Sequence, residues 1–245
     1  MAVTFTRRLV GAIARRTGRP QLVSAFYAGA RAEEQEALAI AAVLAARLSE
    51  DGLYVDVGTN RGQVLREAMR IAPRGEHVAF EPIPALAAHV RSEFPAVDCR
   101  PLALGARAER TRFCHFTRLD GWSGLRRNPE VSDERGAPEY IDVDVSTLDA
   151  ELAGRSPQVL KVDVEGAELG VLEGGRELLS RARPAIVFEH VPEASAIYGY
   201  GSGELWDLLA ASGYRVLSVT GRGPFDRDAF IAAGDVVNWL ATPAH

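Results

Sequence analysis

Val55-Asp56-Val57-Gly58-Thr59-Asn60-Arg61-Gly62 is the stretch on which the reading of this chain turns. The apolar run Leu53 to Val57 ends in a glycine-punctuated turn, and Gln63 to Ile71 follows with a helical pattern. A buried strand, a tight turn and a helix are expected in that order. Gly58 and Gly62 let the backbone bend sharply and approach a ligand without a Cβ in the way. The turn differs from the dinucleotide fingerprint, because Asn60 stands where the second glycine would be and Asp56 immediately precedes the first turn. A carboxylate there repels a pyrophosphate but accepts a cationic ligand without phosphate. The bland alternative is an ordinary strand–turn–helix corner.

Outward from this corner the chain alternates. Strands are expected at His77 to Phe80, Val97 to Leu104, Val159 to Val162, Ala185 to Phe188, Tyr214 to Val219 and Asp235 to Leu240. Helices are expected at Pro84 to Phe94, Ala167 to Leu179 and Glu204 to Ser212. Short apolar strands spaced by helices imply an α/β fold, a parallel sheet covered on both faces. Toward the N-terminus, Arg31 to Leu48 is rich in Ala, Leu and Glu and reads as a helix with Glu33, Glu34 and Glu36 at its start. The expected organisation is a helical extension over 1–50 and one α/β domain over 51–245, with an insertion at about 107–145 that breaks the alternation. A short hairpin plus a loop fits that insertion, and such insertions at the carboxyl edge of a sheet shape substrate pockets.

Bulk composition narrows the classes. The chain has 245 residues and a formal net charge of −5, so no overall field draws it to nucleic acid. Cys99 and Cys114 form neither a CxxC pair nor a metal-ligand set. Ala37 to Leu48 is too short to span a bilayer, and the basic N-terminus (Arg7, Arg8, Arg15, Arg16, Arg19) lacks a signal-type apolar core. A cytoplasmic protein without a transmembrane segment is expected. The basic N-terminal helix could pack on the sheet, pair two subunits into a homo-oligomer, or meet an anionic surface.

Three further strand ends carry chemistry. Val78-Ala79-Phe80-Glu81-Pro82 ends the second strand in an acid, placed to accept hydrogen bonds from ribose hydroxyls. Leu160-Lys161-Val162-Asp163-Val164-Glu165-Gly166-Ala167-Glu168 delivers Lys161, Asp163 and Glu165 into a turn, with Lys161 and Asp163 on one side of the strand. Lys161 is the single lysine among 28 basic residues. This group could orient a hydroxyl, accept its proton or hold a divalent cation; alternatively Glu165 and Glu168 merely favour a helix N-terminus. Ile186-Val187-Phe188-Glu189-His190 ends the fifth strand, and His190 is a natural general base near neutral pH. His115, inside the insertion, is its rival; His77 and His89 read as surface or packing residues.

These motifs resemble the FkbM family of S-adenosylmethionine-dependent methyltransferases. The matching pieces are Val55 to Gly62, Ala79-Phe80-Glu81-Pro82, Val145-Ser146-Thr147-Leu148-Asp149, Leu160 to Glu168 and Pro184 to Glu189, so the resemblance covers roughly residues 53–190. It implies a Rossmann-like class I methyltransferase with a seven-stranded, mostly parallel sheet, helices on both faces and the last strand antiparallel. It also implies methyl transfer to a hydroxyl of a sugar or polyketide-like natural product. By position, Asp56, Gly58, Asn60 and Gly62 would hold the methionine end of S-adenosylmethionine, Glu81 the ribose, and Ala103 and Leu104 the adenine. Catalytic candidates are His190, Asp163, Glu165 and Lys161. Candidates for a divalent cation are Asp163, Glu165 and Glu189. Trp122, in Gly121-Trp122-Ser123-Gly124-Leu125, departs from the family's Gly-Ser-Ser-Leu-like turn. The rival readings are a nicotinamide-dependent oxidoreductase on a similar sheet and a non-catalytic binding module of the same fold. The retained acids Asp56, Glu81 and Asp163 argue against the second.

Overall fold

The structure is a computed structural model, and it describes residues 20–129, 131 and 137–244. The chain divides into two compact units, residues 1–39 and 40–245. Helix α1 is Pro20–Arg47, so Glu33, Glu34 and Glu36 sit in mid-helix and not in a first turn, and only Arg47 meets the expected dipole at the far end. The basic stretch Arg7 to Arg19 lies outside the described residues. Among the described residues no helix is long and apolar enough to cross a membrane.

Residues 40–245 hold the sheet. In chain order its strands and helices are β1 (Tyr54–Val57), α2 (Gln63–Ile71), β2 (His77–Phe80), α3 (Pro84–Glu93), β3 (Asp98–Arg100), β4 (Ala103–Leu104), β5 (Glu109–His115), β6 (Glu139–Ser146), α4 (Leu148–Glu151) and β7 (Val159–Val162). They continue with α5 (Glu168–Glu173), α6 (Arg176–Ala182), β8 (Ala185–Glu189), α7 (Pro192–Ile197), α8 (Ser202–Ala211), β9 (Tyr214–Ser218), α9 (Arg227–Ala232) and β10 (Asn238–Pro243). The main sheet has seven strands in the order β3-β2-β1-β7-β8-β10-β9. Pairings from β3 through β8 are parallel, and β10 is antiparallel to both β8 and β9. This is the class I methyltransferase sheet that the motifs implied. Every residue of β1, β2 and β7 is buried, as expected for parallel strands covered on both faces. The strand order reverses between β1 and β7, and the crevice at such a reversal is where α/β sheets bind ligands.

Two local departures from the sequence expectation have clear causes. The run Val97 to Leu104 is two strands, because Pro101 has no N–H to give and interrupts the ladder. β3 joins the main sheet, while β4 pairs with β6 in a separate three-stranded sheet, β4-β6-β5. The helix expected over Ala167 to Leu179 is split by Gly174 and Gly175. A Cβ on Gly174 would meet the Gly105 carbonyl oxygen at 2.1 Å, and one on Gly175 would meet Leu148 Cδ1 at 2.8 Å, so close packing demands glycine at the break. The last strand starts at Asn238, later than Asp235, and extends to Pro243. Within the insertion, β5 and β6 form an antiparallel pair from Glu109↔Val145 to His115↔Glu139.

Candidate functional site

At the carboxyl ends of β1 and β2 a cleft opens. Gly58, Asn60, Glu81, Ile83, Asp163 and Glu165 line it, together with the apolar Ala103, Leu104, Phe113 and Leu125. The turn after β1 is built for close approach. Gly58 has φ +77°, and a Cβ there would sit 1.8 Å from the Asp163 carbonyl oxygen. Asn60 adopts φ 50°, the left-handed region that Asn tolerates better than most side chains. That conformation aims its N–H at Glu81 Oε2, 2.9 Å away, while the Ile83 N–H donates to Glu81 Oε1 at 3.0 Å. Two backbone amides therefore fix the carboxylate from behind. Burial nevertheless pushes the Glu81 carboxyl up to about 7, against the pull of those two donors.

Asp56 and Lys161 are register partners on adjacent strands and share a face of the sheet. Lys161 Nζ lies 3.1 Å from Asp163 Oδ2 and 3.5 Å from Asp56 Oδ1. The Thr59 hydroxyl donates to Asp56 Oδ2 at 3.0 Å. Burial opposes the Lys161 charge, but Asp163 and then Asp56 outweigh it and hold the ammonium above its ordinary value. The expected grouping of Lys161 with Asp163 is thus present, and Asp56 joins it.

A second acidic group forms where β7 and β8 end side by side. Asp163, Glu165 and Glu189 offer carboxylate oxygens within 4.8 Å of one another. Burial, reinforced by Asp163 and Glu168, pushes Glu165 up to about 8. Burial, reinforced by Asp163 and Glu165, pushes Glu189 up to about 9. Glu165 has φ 56°, a strained conformation for a non-glycine residue that costs about 1–3 kcal/mol and is typical of functional turns. Glu168 holds this turn: its Oε1 accepts from the amides of Val164 and Gly166, both at 3.1 Å, so it is an anchor of the turn and not a free acid of the cleft.

His190 is not part of the cleft, and the expectation that it serves as a base is corrected. The side chain is 3% exposed, its Nε2 lies 2.8 Å from the Ser202 hydroxyl and its Nδ1 3.1 Å from that of Ser195. The ring stacks on Phe230 at 5.4 Å, and burial pushes its pKa down to about 4. Both nitrogens are taken up inside the protein, where no acceptor hydroxyl can reach them. His115 faces Asp120, 3.2 Å away, and Asp120 also pairs with Arg61 at 2.7 Å. Gly62 does not line the cleft either; its φ is +73° and a Cβ would strike the Phe94 ring at 2.5 Å, so it is glycine for packing. The insertion contributes more to the cleft than the sequence suggested. Phe113, Asp120, Gly121, Ser123 and Leu125 stand beside Ala103 and Leu104. The Gly121 to Leu125 segment was the available signal, but only the fold shows which way its side chains face.

The profile of the methyltransferase FkbM domain matches residues 56–216. The chain belongs to the FkbM methyltransferase family. The 2-O-methyltransferase NoeI of Sinorhizobium fredii is 31% identical over 153 residues, which cover 54% of this chain and 61% of NoeI, less than two thirds of that relative's length. Among solved structures, an FkbM methyltransferase from Methylobacillus flagellatus is similar at 17% identity, with a TM-score of 0.49, covering 80% of this chain and 44% of that one. An S-adenosylmethionine-dependent O-methyltransferase from Thermotoga maritima is similar at 14% identity with a TM-score of 0.46, covering 85% of this chain and 64% of that one. For an FkbM methyltransferase the matched region spans β1 to β9, and therefore both acidic strand ends described above.

Proposed function

We propose that the protein transfers a methyl group from S-adenosylmethionine to a hydroxyl oxygen of a small-molecule or glycan acceptor. The observation that carries this reading is the acidic lining of the cleft. Glu81, Asp120, Asp163 and Glu165 line it, and no Lys or Arg occurs among its described lining residues. A pyrophosphate finds no cationic partner among these residues, whereas a cofactor bearing an ammonium and a sulfonium favours the ionised form of the same carboxyls. Glu81, held from behind by two amides, keeps outward lone pairs for two ribose hydroxyls. Ala103, Leu104, Phe113 and Leu125 offer a flat purine an apolar slot. An adjoining pocket, lined by Asp56, Thr59, Arg61 and Lys161, shares Gly58, Asn60 and Asp163 with the cleft, and the amino-acid portion would be held there.

When bound, the cofactor supplies an electrophilic methyl. The chain's own task is to orient an alcohol and relieve it of its proton, because a neutral alcohol is a poor nucleophile. Asp163, positioned by Lys161, is the residue assigned to take the proton, and Glu165 and Glu189, whose pKa values burial raises, are assigned to orient the alcohol by hydrogen bonding. Three hard oxygen donors this close would also suit a divalent cation, which would do the same work by lowering the acceptor's pKa. Turnover that survives a chelator assigns the carboxyls directly; turnover that is lost and restored by Mg²⁺ assigns them as ligands.

Calorimetry tests the cofactor assignment. S-adenosylmethionine and S-adenosylhomocysteine should bind and NAD should not. Glu81→Ala should lose about 1.5–3 kcal/mol of affinity, roughly ten- to a hundredfold. A folded Glu81→Ala with undiminished affinity would overturn the site.

A further inference from the structure

The cofactor cleft is walled by two stretches of chain that are far apart in sequence. Gly58 and Asn60, in the turn after β1, line it, and so do Asp120, Gly121, Ser123 and Leu125 of the insertion. Arg61, the next residue of the turn, spans from one to the other: its Nη2 lies 2.7 Å from Asp120 Oδ2, across 59 positions. We propose that the Arg61–Asp120 ion pair is a strap that joins the two sides of the cleft and gates the entry and release of the cofactor, with Arg61 as a positioning residue that acts through Asp120. This goes beyond the proposed function and rests on its reading of the cleft as the cofactor site.

Both ends of the strap are fixed by their own segments. The turn after β1 is closed by the Gly62 N–H, which donates to the Thr59 carbonyl at 2.8 Å, and the Asn60 N–H is committed to Glu81. The Arg61 side chain is left on the outside, 58% exposed, with its guanidinium against Asp120. On the other side, Asp120 opens the 3₁₀ turn Asp120–Trp122. Asp120 Oδ1 lies 3.2 Å from His115 Nε2, so His115 of β5 steadies the carboxylate. The Trp122 N–H donates to the Leu119 carbonyl at 2.9 Å, and the Ser123 hydroxyl accepts from the Phe116 N–H at 3.0 Å. The tip of the insertion is thus one folded piece, and the Arg61 bond ties that piece to the cofactor turn.

The strength of the bond suits a gate. A guanidinium that is more than half exposed keeps much of its hydration, so the pair gains little over water and parts at small cost. Lys161, between Asp56 and Asp163, is the contrast: its side chain is 10% exposed, and such a pair is screened far less and stays made. A ligand seated between the cofactor turn and the insertion is enclosed while the strap is made, and it leaves only when the strap parts. A strap of this kind raises the barrier in both directions alike. It slows entry and exit together and leaves the equilibrium affinity nearly as it was.

Surface plasmon resonance on the immobilised full chain, with S-adenosylhomocysteine as the probe, reads both rates. Arg61→Gln should speed association and dissociation alike, each about two- to fivefold, the range that one exposed ion pair can supply. The dissociation constant should stay within about twofold of wild type. Arg61→Lys, which keeps the charge, should retain most of the wild-type slowness. Asp120→Asn should match Arg61→Gln in its rates, and the double variant should be no faster than either single one, because the same bond is cut. Raising the salt from about 0.05 to about 0.5 M should speed dissociation from the wild-type chain and leave Arg61→Gln unaltered. Unchanged rates in Arg61→Gln overturn the inference. So does faster dissociation without faster association, which would make the guanidinium a direct cofactor contact, and so do effects that multiply in the double variant. Failure of the wild-type chain to bind S-adenosylhomocysteine overturns the proposed function itself.

Discussion

At Glu81 and His190 two titratable side chains sit at strand ends under heavy burial, with different surroundings. Glu81 has both oxygens tied to amides yet still borders open space, so a ligand can use the outward lone pairs. His190 has both nitrogens satisfied by serine hydroxyls and its face covered by Phe230. Removing it leaves a cavity and takes a partner from the buried Ser202 hydroxyl, while Ser195 keeps its bond to the Val191 carbonyl. His190→Ala should therefore lose about 2–4 kcal/mol of stability, read by denaturant titration. Its kcat, measured below the new melting temperature, should stay within a few-fold of wild type. A loss of 10²-fold or more in kcat with stability intact would return His190 to the catalytic centre.

Among the elements, the turns matter more than the strands they join. The α5–α6 break exists because the chain passes against Gly105 and Leu148 with no room for a side chain. Gly174→Ala should cost well over 2 kcal/mol through that collision alone. Gly154 is the control: its φ is +75° but nothing lies within 4 Å of a Cβ, so Gly154→Ala should cost only about 1 kcal/mol from backbone strain. Equal melting temperatures for the two variants would mean that the close passage at Gly105 is not a constraint. The same logic applies at Gly58, where left-handed backbone and contact with the Asp163 carbonyl coincide. Gly58→Ala should both destabilise the chain and abolish cofactor binding, because the turn cannot relax without moving Asn60 off Glu81.

For the whole molecule, the sheet collects acids that are far apart in sequence into one region of unfavourable charge. Glu81 and Glu168 are pushed up to about 7, Glu165 to about 8 and Glu189 to about 9, from an ordinary 4.5. Each holds a proton more tightly in the folded chain than in the unfolded one. The stability linked to them is complete below about 4.5 and is lost as pH rises through about 7, then about 8, then about 9. The melting temperature of the ligand-free protein should fall from about pH 6 to about pH 9, and Glu189→Gln should flatten that fall at its alkaline end. A cationic ligand favours the ionised carboxyls, so saturation with S-adenosylmethionine should make the slope shallower as well as raise the melting temperature. A slope of the opposite sign would show that the acids are ionised in the ligand-free fold.

The sequence by itself determined the alternation of strands and helices, the corner at Gly58, and the acids at Asp56, Glu81, Asp163, Glu165 and Glu189. Periodicity, glycine punctuation and a carboxylate at a strand end are local properties, readable wherever one segment decides its own conformation. The tertiary structure alone decided what those residues meet. It tied Glu81 to the amide of Asn60, 21 positions away, and brought Lys161 between Asp56 and Asp163. It turned Trp122 toward one cavity and Asp120 toward another, and it enclosed His190 in serine hydroxyls. A histidine at a strand end looks the same in sequence whether it opens to a cleft or is sealed behind a helix. The difference lies in which residues pack over it, and that is set by the helices that carry Ser195, Ser202 and Phe230.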